Sequence, residues 1–357
     1  MRNQETTNRT MATIRDVAAR AGVNPSTVSR VFSGKAKISE RTQRRVLSAA
    51  AALDFHPNAI ARSLSVRRTN TVAIVVPHIF PGYFEDCFFP QVMRGLLDVA
   101  YQRGFRVLVG GSDSHQDNIT QTFEILGSRQ ADGIVVLSNR LDVDTVGALR
   151  EQQTPFVLVG RPPANYSDIS WVDADNERYT KEAVEYLIGL GHRRIAFVGG
   201  DPDVAVTAER LSGYVTAMEQ AGLPHHPEWV DFGYFAEDGG FQAVQRMIPL
   251  GDDAPTAYYA ANDLMAIGVM RALRERGICV PTEVSVIGTN NSPEATHVYP
   301  ALTTIQVPYA QMAANAVTAL IDAIEQGVAG QRKPATVQRY VDCNLLVRGS
   351  TAPCLYP

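Results

Sequence analysis

Residues 13–34 read TIRDVAARAGVNPSTVSRVFSG. Ile14, Val17, Ala18 and Ala21 fall at i, i+3, i+4 and i+7, one apolar face of a helix. Thr13 is placed to cap that helix, and Asp16 three residues later completes a capping-box pattern. Gly22 then breaks it. Asn24 is set to cap a second helix, with Pro25 at its first position, where a missing N–H costs nothing. Val28, Val31 and Phe32 form that helix's inner face, and Ser26, Ser29 and Arg30 its outer face. Two short helices across a glycine turn are the outline of a helix-turn-helix, which lays one helix in a DNA major groove. An ordinary helical hairpin in a globular core has the same outline, so charge has to arbitrate.

Residues 1–70 carry 13 Lys and Arg against 4 Asp and Glu, a net of +9. The remaining 287 residues carry 20 basic and 33 acidic side chains, a net of −13. The overall balance of −4 therefore conceals a basic head on an acidic body. Phosphate binding by one end needs that asymmetry.

A chain of 357 residues is long enough for two or three domains. An apolar fraction of 45% with 20% charged residues is ordinary for a water-soluble protein. No apolar stretch approaches the roughly 18 residues a membrane span requires. The opening MRNQETTNRT lacks the apolar centre of a secretory signal, and residues 1–10 read as a disordered tail. Cys87, Cys279, Cys343 and Cys354 share no metal-ligand or redox spacing, so neither disulfides nor a metal site are expected, and the setting reads as a reducing cytosol.

A third helix follows, with Ser39 as its cap and Val46, Ala50 and Leu53 on one face. Three helices then make a small all-α domain over 11–56. His56-Pro57-Asn58 is a stop signal, and NAIARSL at 58–64 is too short to hold a helix alone. Residues 57–70 read as a hinge, either a flexible tether or a segment that becomes helical against something else. From residue 71 apolar runs of strand length, at 71–77, 106–112, 133–138, 155–160, 194–200, 257–263 and 284–290, alternate with amphipathic segments at 91–103, 118–129, 177–190, 207–221 and 264–276. Continuous Val/Ile runs mean strands buried on both faces, and the alternation means parallel sheets with crossover helices. The expected fold is an α/β core over 71–357 of two doubly wound lobes. Lobe 1 is expected over about 71–170 plus 304–335, including a helix near 309–326, and lobe 2 over about 171–303 plus 336–350.

From about residue 12 to 352 the chain resembles the lactose/galactose repressor (LacI/GalR) family of bacterial transcription regulators. TIRDVAARAGV…STVSRVFSG resembles the family's reading head, and ISERTQRRVLSAAAALDFHPNAIARSL its third helix and hinge. LGHRRIAFVGG (190–200), ERLSGY (209–214), ANDLMAIGVMRAL (261–273), VSVIG (284–288) and YPALTTI (299–305) resemble successive landmarks of its two-lobed, periplasmic-binding-protein-like core. One such motif is weak; seven in order are specific.

The resemblance implies that the second helix enters the major groove of double-stranded DNA. Pro25 would offer apolar contact, Ser26 a weakly discriminating hydroxyl, and Arg30 the bidentate guanine contact, worth about 1–3 kcal/mol. Thr27 and Ser29 are better placed for phosphates. Thr13, Asn24 and the hinge residues Asn58 and Leu64 complete the DNA-contacting set, with Leu64 matching the leucine that the family pushes into the minor groove. Two heads on a symmetric homodimer imply a palindromic operator. No apolar heptad follows residue 350, so a dimer rather than a tetramer is expected.

For the effector, a small sugar or sugar derivative, the resemblance implies Phe89, Arg210, Phe235, Asn262 and Asn290. The two Phe rings would stack on it from opposite lobes, Arg210 would donate a fork, and the asparagines would orient hydroxyls. Each has a plainer alternative: the Phe residues as core, and Asn262 or Asp263 as the cap of the helix near 264, with Asp263 favoured as the cap. Gly160 and Asn290 stand where sugar-responsive members often have Asp. Both changes remove carboxylates, so a neutral pocket around Arg210 is expected, one that could suit a phosphorylated or acidic sugar or a less polar glycoside. The insertion PGYFED (81–86) places two aromatics beside the presumed cleft.

No cofactor and no catalytic residue is implied. A free solute-binding protein would fit the core but not the basic head. An α/β enzyme finds no G-x-S-x-G elbow, phosphate loop or dinucleotide fingerprint, and His192 in the LGHRR turn reads as structural. The implied function is a cytoplasmic, effector-controlled dimeric repressor, in which ligand either weakens or strengthens operator binding.

Overall fold

A computed structural model describes residues 12–33, 38–55, 68–76, 86–111, 115–137, 143–152, 154–162, 166–328 and 335–355. The expected tail at 1–10, the hinge residues Asn58 and Leu64, and all of the 81–86 insertion except Asp86 lie outside them. Two compact units are present, one up to Thr69 and one from Asn70.

The first unit holds helices α1 (Ile14–Ala21), α2 (Pro25–Ser33) and α3 (Glu40–Ala52). They close on Val17, Ala18, Ala21, Val28, Val46, Ala49 and Ala50, with Val31, Phe32, Leu53 and Phe55 packed at the margin. Ile14, expected on the inner face, is 36% exposed. It sits in the first turn of α1, and the helices meet from Val17 onward.

The second unit contains two six-stranded sheets. The first is built from β1 (Thr71–Val76), β2 (Arg106–Gly111), β3 (Gly133–Leu137), β4 (Phe156–Val159), β5 (Trp171–Ala174) and β11 (Gln338–Val341), in the order β11-β5-β4-β3-β1-β2. All its pairings are parallel. The second is built from β6 (Ile195–Gly199), β7 (Val230–Phe232), β8 (Ala257–Ala260), β9 (Ser285–Thr289), β10 (Thr303–Gln306) and β12 (Asn344–Leu346), in the order β12-β10-β9-β8-β6-β7. Only β12 runs antiparallel to its neighbour.

The crossover helices are α4 (Phe88–Gln102), α5 (His115–Gly127), α6 (Val143–Glu151), α7 (Asn176–Gly189), α8 (Ala205–Gln220), α9 (Glu237–Met247), α10 (Asp263–Glu275) and α11 (Tyr309–Val328). Helix α11 packs on α4 in the first lobe, where a Cβ at Gly95 would lie 1.9 Å from the Ala310 carbonyl oxygen. Only glycine allows that approach. Helices α7 and α8 pack together in the second lobe, as do α9 and α10. β3, β6, β8 and β9 are buried along their whole length, as Val/Ile runs demand of strands covered on both faces.

The lobe limits differ from the sequence expectation at three places. Residues 171–174 and 338–341, expected in lobe 2, hydrogen-bond into the first sheet, and residues 304–306, expected in lobe 1, hydrogen-bond into the second. WVDA and QRYV are four-residue strands with polar members, and QRYV lies at the sheet edge with only Val341 buried. Neither makes a continuous apolar run. The chain thus passes between lobes after β5, after β10 and between β11 and β12.

Candidate functional site

In the head, the Thr13 amide and hydroxyl both donate to Asp16 Oδ2, at 2.8 and 2.7 Å, and the Asp16 amide donates back to Thr13 Oγ1 at 3.4 Å. These bonds hold the Asp16 carboxyl below its ordinary value. The Asn24 carbonyl accepts the amides of Thr27 and Val28 and so starts α2. Asn24, Pro25, Ser26, Ser29 and Arg30 are exposed, Thr27 is half-buried, and Val28 is sealed inside. The helix therefore presents short hydroxyls and one guanidinium outward from a fixed base. Gly22 ends α1 in the left-handed region, at φ 60°. The Arg45 guanidinium on α3 donates to the carbonyls of Ala21 and Gly22. That cap on the end of α1 has no local sequence signal, because its partner lies more than twenty residues away.

Between the lobes a second cluster forms. Arg210, 3% exposed, donates from Nε to the Tyr179 hydroxyl at 2.8 Å, from Nη1 to the Ala261 carbonyl, and from Nη2 to the Tyr309 hydroxyl at 3.4 Å. Tyr179 passes its own proton to Asn176 Oδ1 at 2.6 Å, and Asn176 Nδ2 donates to Glu209 at 2.7 Å. Glu209 pairs across the lobes with Arg161 at 3.2 Å. Tyr309, the first residue of α11, donates to Asn290 Oδ1 at 2.7 Å. A guanidinium stays charged at any accessible pH, so burying it requires this ring of acceptors. The three bonds it makes here all go to neutral oxygens.

Asn262, fully buried, caps α10 by accepting the Met265 amide at 2.9 Å. Of the two alternatives, the cap is thus Asn262 and not the favoured Asp263. Asp263 accepts instead from the Ser292 amide at 2.6 Å and the Thr304 hydroxyl, and burial pushes its carboxyl up to about 7. Asn262 Nδ2 donates to the Phe235 carbonyl at 2.8 Å and to Asp86 at 2.9 Å. Asn290, at φ 114°, donates from Nδ2 to both Asp86 oxygens, at 3.2 and 3.1 Å.

Asp86 was not singled out by sequence reasoning. It stands just ahead of α4 in the first lobe and meets two amides of the second. Part of its surface reaches solvent, but it is set deep among protein groups, and that burial raises its carboxyl above the ordinary value. The neutral pocket expected from Gly160 and Asn290 is therefore corrected: a carboxylate enters from a different loop. A lone Asp beside aromatic residues carries no spacing that could have announced it.

Arg210, Asn262 and Asn290 are thus brought together, and the Phe235 carbonyl joins them. The Phe235 ring, at φ 62°, lies on Gly200, where a Cβ would sit 1.9 Å from it. Phe89 is 5% exposed and packs in the apolar core. The ring packed edge-on against Tyr309, at 4.9 Å, is Phe88. His192 holds Thr256 and Ser285 through its two ring nitrogens, each at 3.0 Å, and also reaches the Ala352 carbonyl at 3.2 Å. Among the described residues there is no group of three or more potential metal ligands, and no helix long and apolar enough to cross a membrane.

A helix-turn-helix head on a two-lobed core whose lobes meet over a charged, hydrogen-bonded cluster defines a regulator of DNA that carries a binding module. Residues 13–58 match the profile of the bacterial regulatory proteins of the lacI family, and residues 184–351 that of the periplasmic binding protein-like domain. The chain is 31% identical over 344 residues to the HTH-type transcriptional repressor CytR of Escherichia coli K12, covering 96% of this chain and 97% of that protein. Its fold is similar to a transcriptional regulator CelR–cellobiose complex, with a TM-score of 0.71 at 32% identity, over 95% and 99% of the two chains. It is also similar to the lac repressor dimer bound to operator and the anti-inducer ONPF, with a TM-score of 0.83 at 25% identity, over 96% and 100%. The chain belongs to the lacI family of bacterial regulatory proteins. It is a DNA-binding transcriptional regulator and not an enzyme.

Proposed function

We propose that the chain is a homodimeric cytoplasmic repressor of carbohydrate-utilisation genes, with a palindromic operator and a small sugar or sugar derivative as effector. The observation that carries the reading is the meeting of Arg210, Asn262 and Asn290 from the second lobe with Asp86 and Tyr309 from the first. A ligand seated there touches both lobes and so binds their two arrangements unequally, which is the only way a ligand can shift an equilibrium. The relative solved with cellobiose, and the one solved as an operator-bound dimer, support the same assignment of parts.

In this reading Arg30, Ser26 and Pro25 face base edges, while Thr13, Asn24, Thr27 and Ser29 face the backbone. Asn58 and Leu64 act from the hinge. Ligand re-sets the lobes, the first lobes of a dimer rotate, and the heads lose or gain their fixed spacing.

The test is operator binding by the full chain, followed by fluorescence anisotropy, while a panel of sugars is titrated. We expect one sugar to change operator affinity, and Arg210→Ala to keep operator binding while losing the response. A response retained in Arg210→Ala would remove this cluster from the effector site. The sign of the change separates inducer from corepressor.

A further inference from the structure

The side-chain amide donors of the interlobe cluster are already spent. Asn262 Nδ2 gives its protons to Asp86 and the Phe235 carbonyl, and Asn290 Nδ2 gives to Asp86. The oxygens of both amides are also taken, by the Met265 amide and the Tyr309 hydroxyl. The Arg210 nitrogens are directed to Tyr179, Ala261 and Tyr309. Asp86 stands where these amides converge; both of its oxygens accept N–H groups, an arrangement that favours the carboxylate against the burial that raises its pKa, and Arg210 acts in the same sense as the amides. The bond from the Phe88 amide, at 2.7 Å, fixes the position of that carboxylate.

An ionised carboxylate accepts and cannot donate. A ligand hydroxyl that reaches the partly exposed edge of Asp86 finds an acceptor. A ligand phosphate or carboxylate finds like charge, and no amide donor until Asp86 is displaced. We propose that Asp86 sets the charge class of the effector. It holds the anion position in front of Arg210, Asn262 and Asn290, so that the cleft accepts a neutral, hydroxyl-bearing molecule and refuses an anionic one.

This rests on the reading of the cleft as the effector site, so the test uses a probe independent of effector identity. Sulfate stays a dianion across neutral pH. It is titrated calorimetrically into the full-length chain and into Asp86→Asn and Asp86→Ala, each checked for native near-ultraviolet circular dichroism. Asp86→Asn keeps the shape and one acceptor oxygen, removes the charge and puts an amide donor where the second oxygen accepted; Asp86→Ala removes the charge without adding a donor. We expect sulfate to bind both variants at least tenfold more tightly than the parent, and Arg210→Gln added to Asp86→Asn to abolish the gain. Equal sulfate affinity in parent and folded variants overturns the proposal, as does a gain that survives loss of Arg210. If the double variant does not fold, the two single variants still decide between gain and none. Failure of the effector-site reading shows separately, as an operator response that persists in Arg210→Ala.

Discussion

The Tyr309 hydroxyl donates to the Asn290 side-chain oxygen at 2.7 Å, joining the first residue of the long returning helix to the end of a second-lobe strand. The same hydroxyl accepts from Arg210 at 3.4 Å. Removing it strands a buried oxygen on one side and a guanidinium N–H on the other. Tyr309→Phe is expected to lower stability by about 1–3 kcal/mol, the usual cost of an unsatisfied buried group. Urea denaturation of parent and variant measures it. An unchanged midpoint would mean that the hydroxyl carries no tie between the lobes.

Gly200 lies under the Phe235 ring, and a methyl group there would meet ring carbon Cζ at 1.9 Å. The ring must leave, and the neighbouring carbonyl that accepts from Asn262 must move with it. Gly200→Ala is therefore expected to leave effector-free operator binding intact and to weaken effector binding at least tenfold. Titration of operator release reads both, and an unaltered effector response would exclude Phe235 from the site.

Arg45 and Arg30 separate holding the head together from reading DNA. Arg45 caps the end of α1 through the carbonyls of Ala21 and Gly22. Arg45→Ala is expected to cost about 0.5–1.5 kcal/mol of head stability and to weaken binding evenly across operator sequences. Arg30→Ala should relax preference at a single operator position, by about 1–3 kcal/mol. Binding-site selection on the two variants distinguishes an even loss from a positional one. A positional loss in Arg45→Ala, or none in Arg30→Ala, would reverse the assignment.

His192 is 1% exposed and bonded to Thr256, Ser285 and Ala352, and burial lowers its pKa. Its contribution to stability is complete above the unfolded value of about 6.5, where the ring is neutral in both states. As pH falls below that, the unfolded chain takes up the proton first, so stability declines until the lower folded value is passed. Thermal midpoints between pH 8 and 5 should therefore fall less steeply in His192→Gln than in the parent. Parallel profiles would contradict a buried neutral ring.

What the amino-acid order discloses divides along physical lines. Seven strands are legible as apolar runs of strand length such as VAIVV, IVVL or IAFV, although one of them, β2, lies at the sheet edge with no residue fully buried rather than covered on both faces. WVDA, VDF, TTIQ, QRYV and NLL are not, because strands of three or four residues that contain a polar member make no apolar run. Arg210, Asn262 and Asn290 are visible through family resemblance, since they sit within extended motifs. Asp86 is not, because its meaning comes from two amides about two hundred positions away. Phe89 shows the converse: the ring type matches, while the neighbouring Phe88 makes the contact with Tyr309.

The polypeptide passes between the two sheets three times, at 174–176, 306–309 and 341–344. A lone connector would let the halves swivel like a ball on a string. Three connectors restrain torsion more than one does. Relative motion of the halves is thereby more restricted than a single tether would leave it. Any molecule wedged at the mouth acts on that restricted motion, and a change there reaches the far end of the sheets with less of it lost in twist.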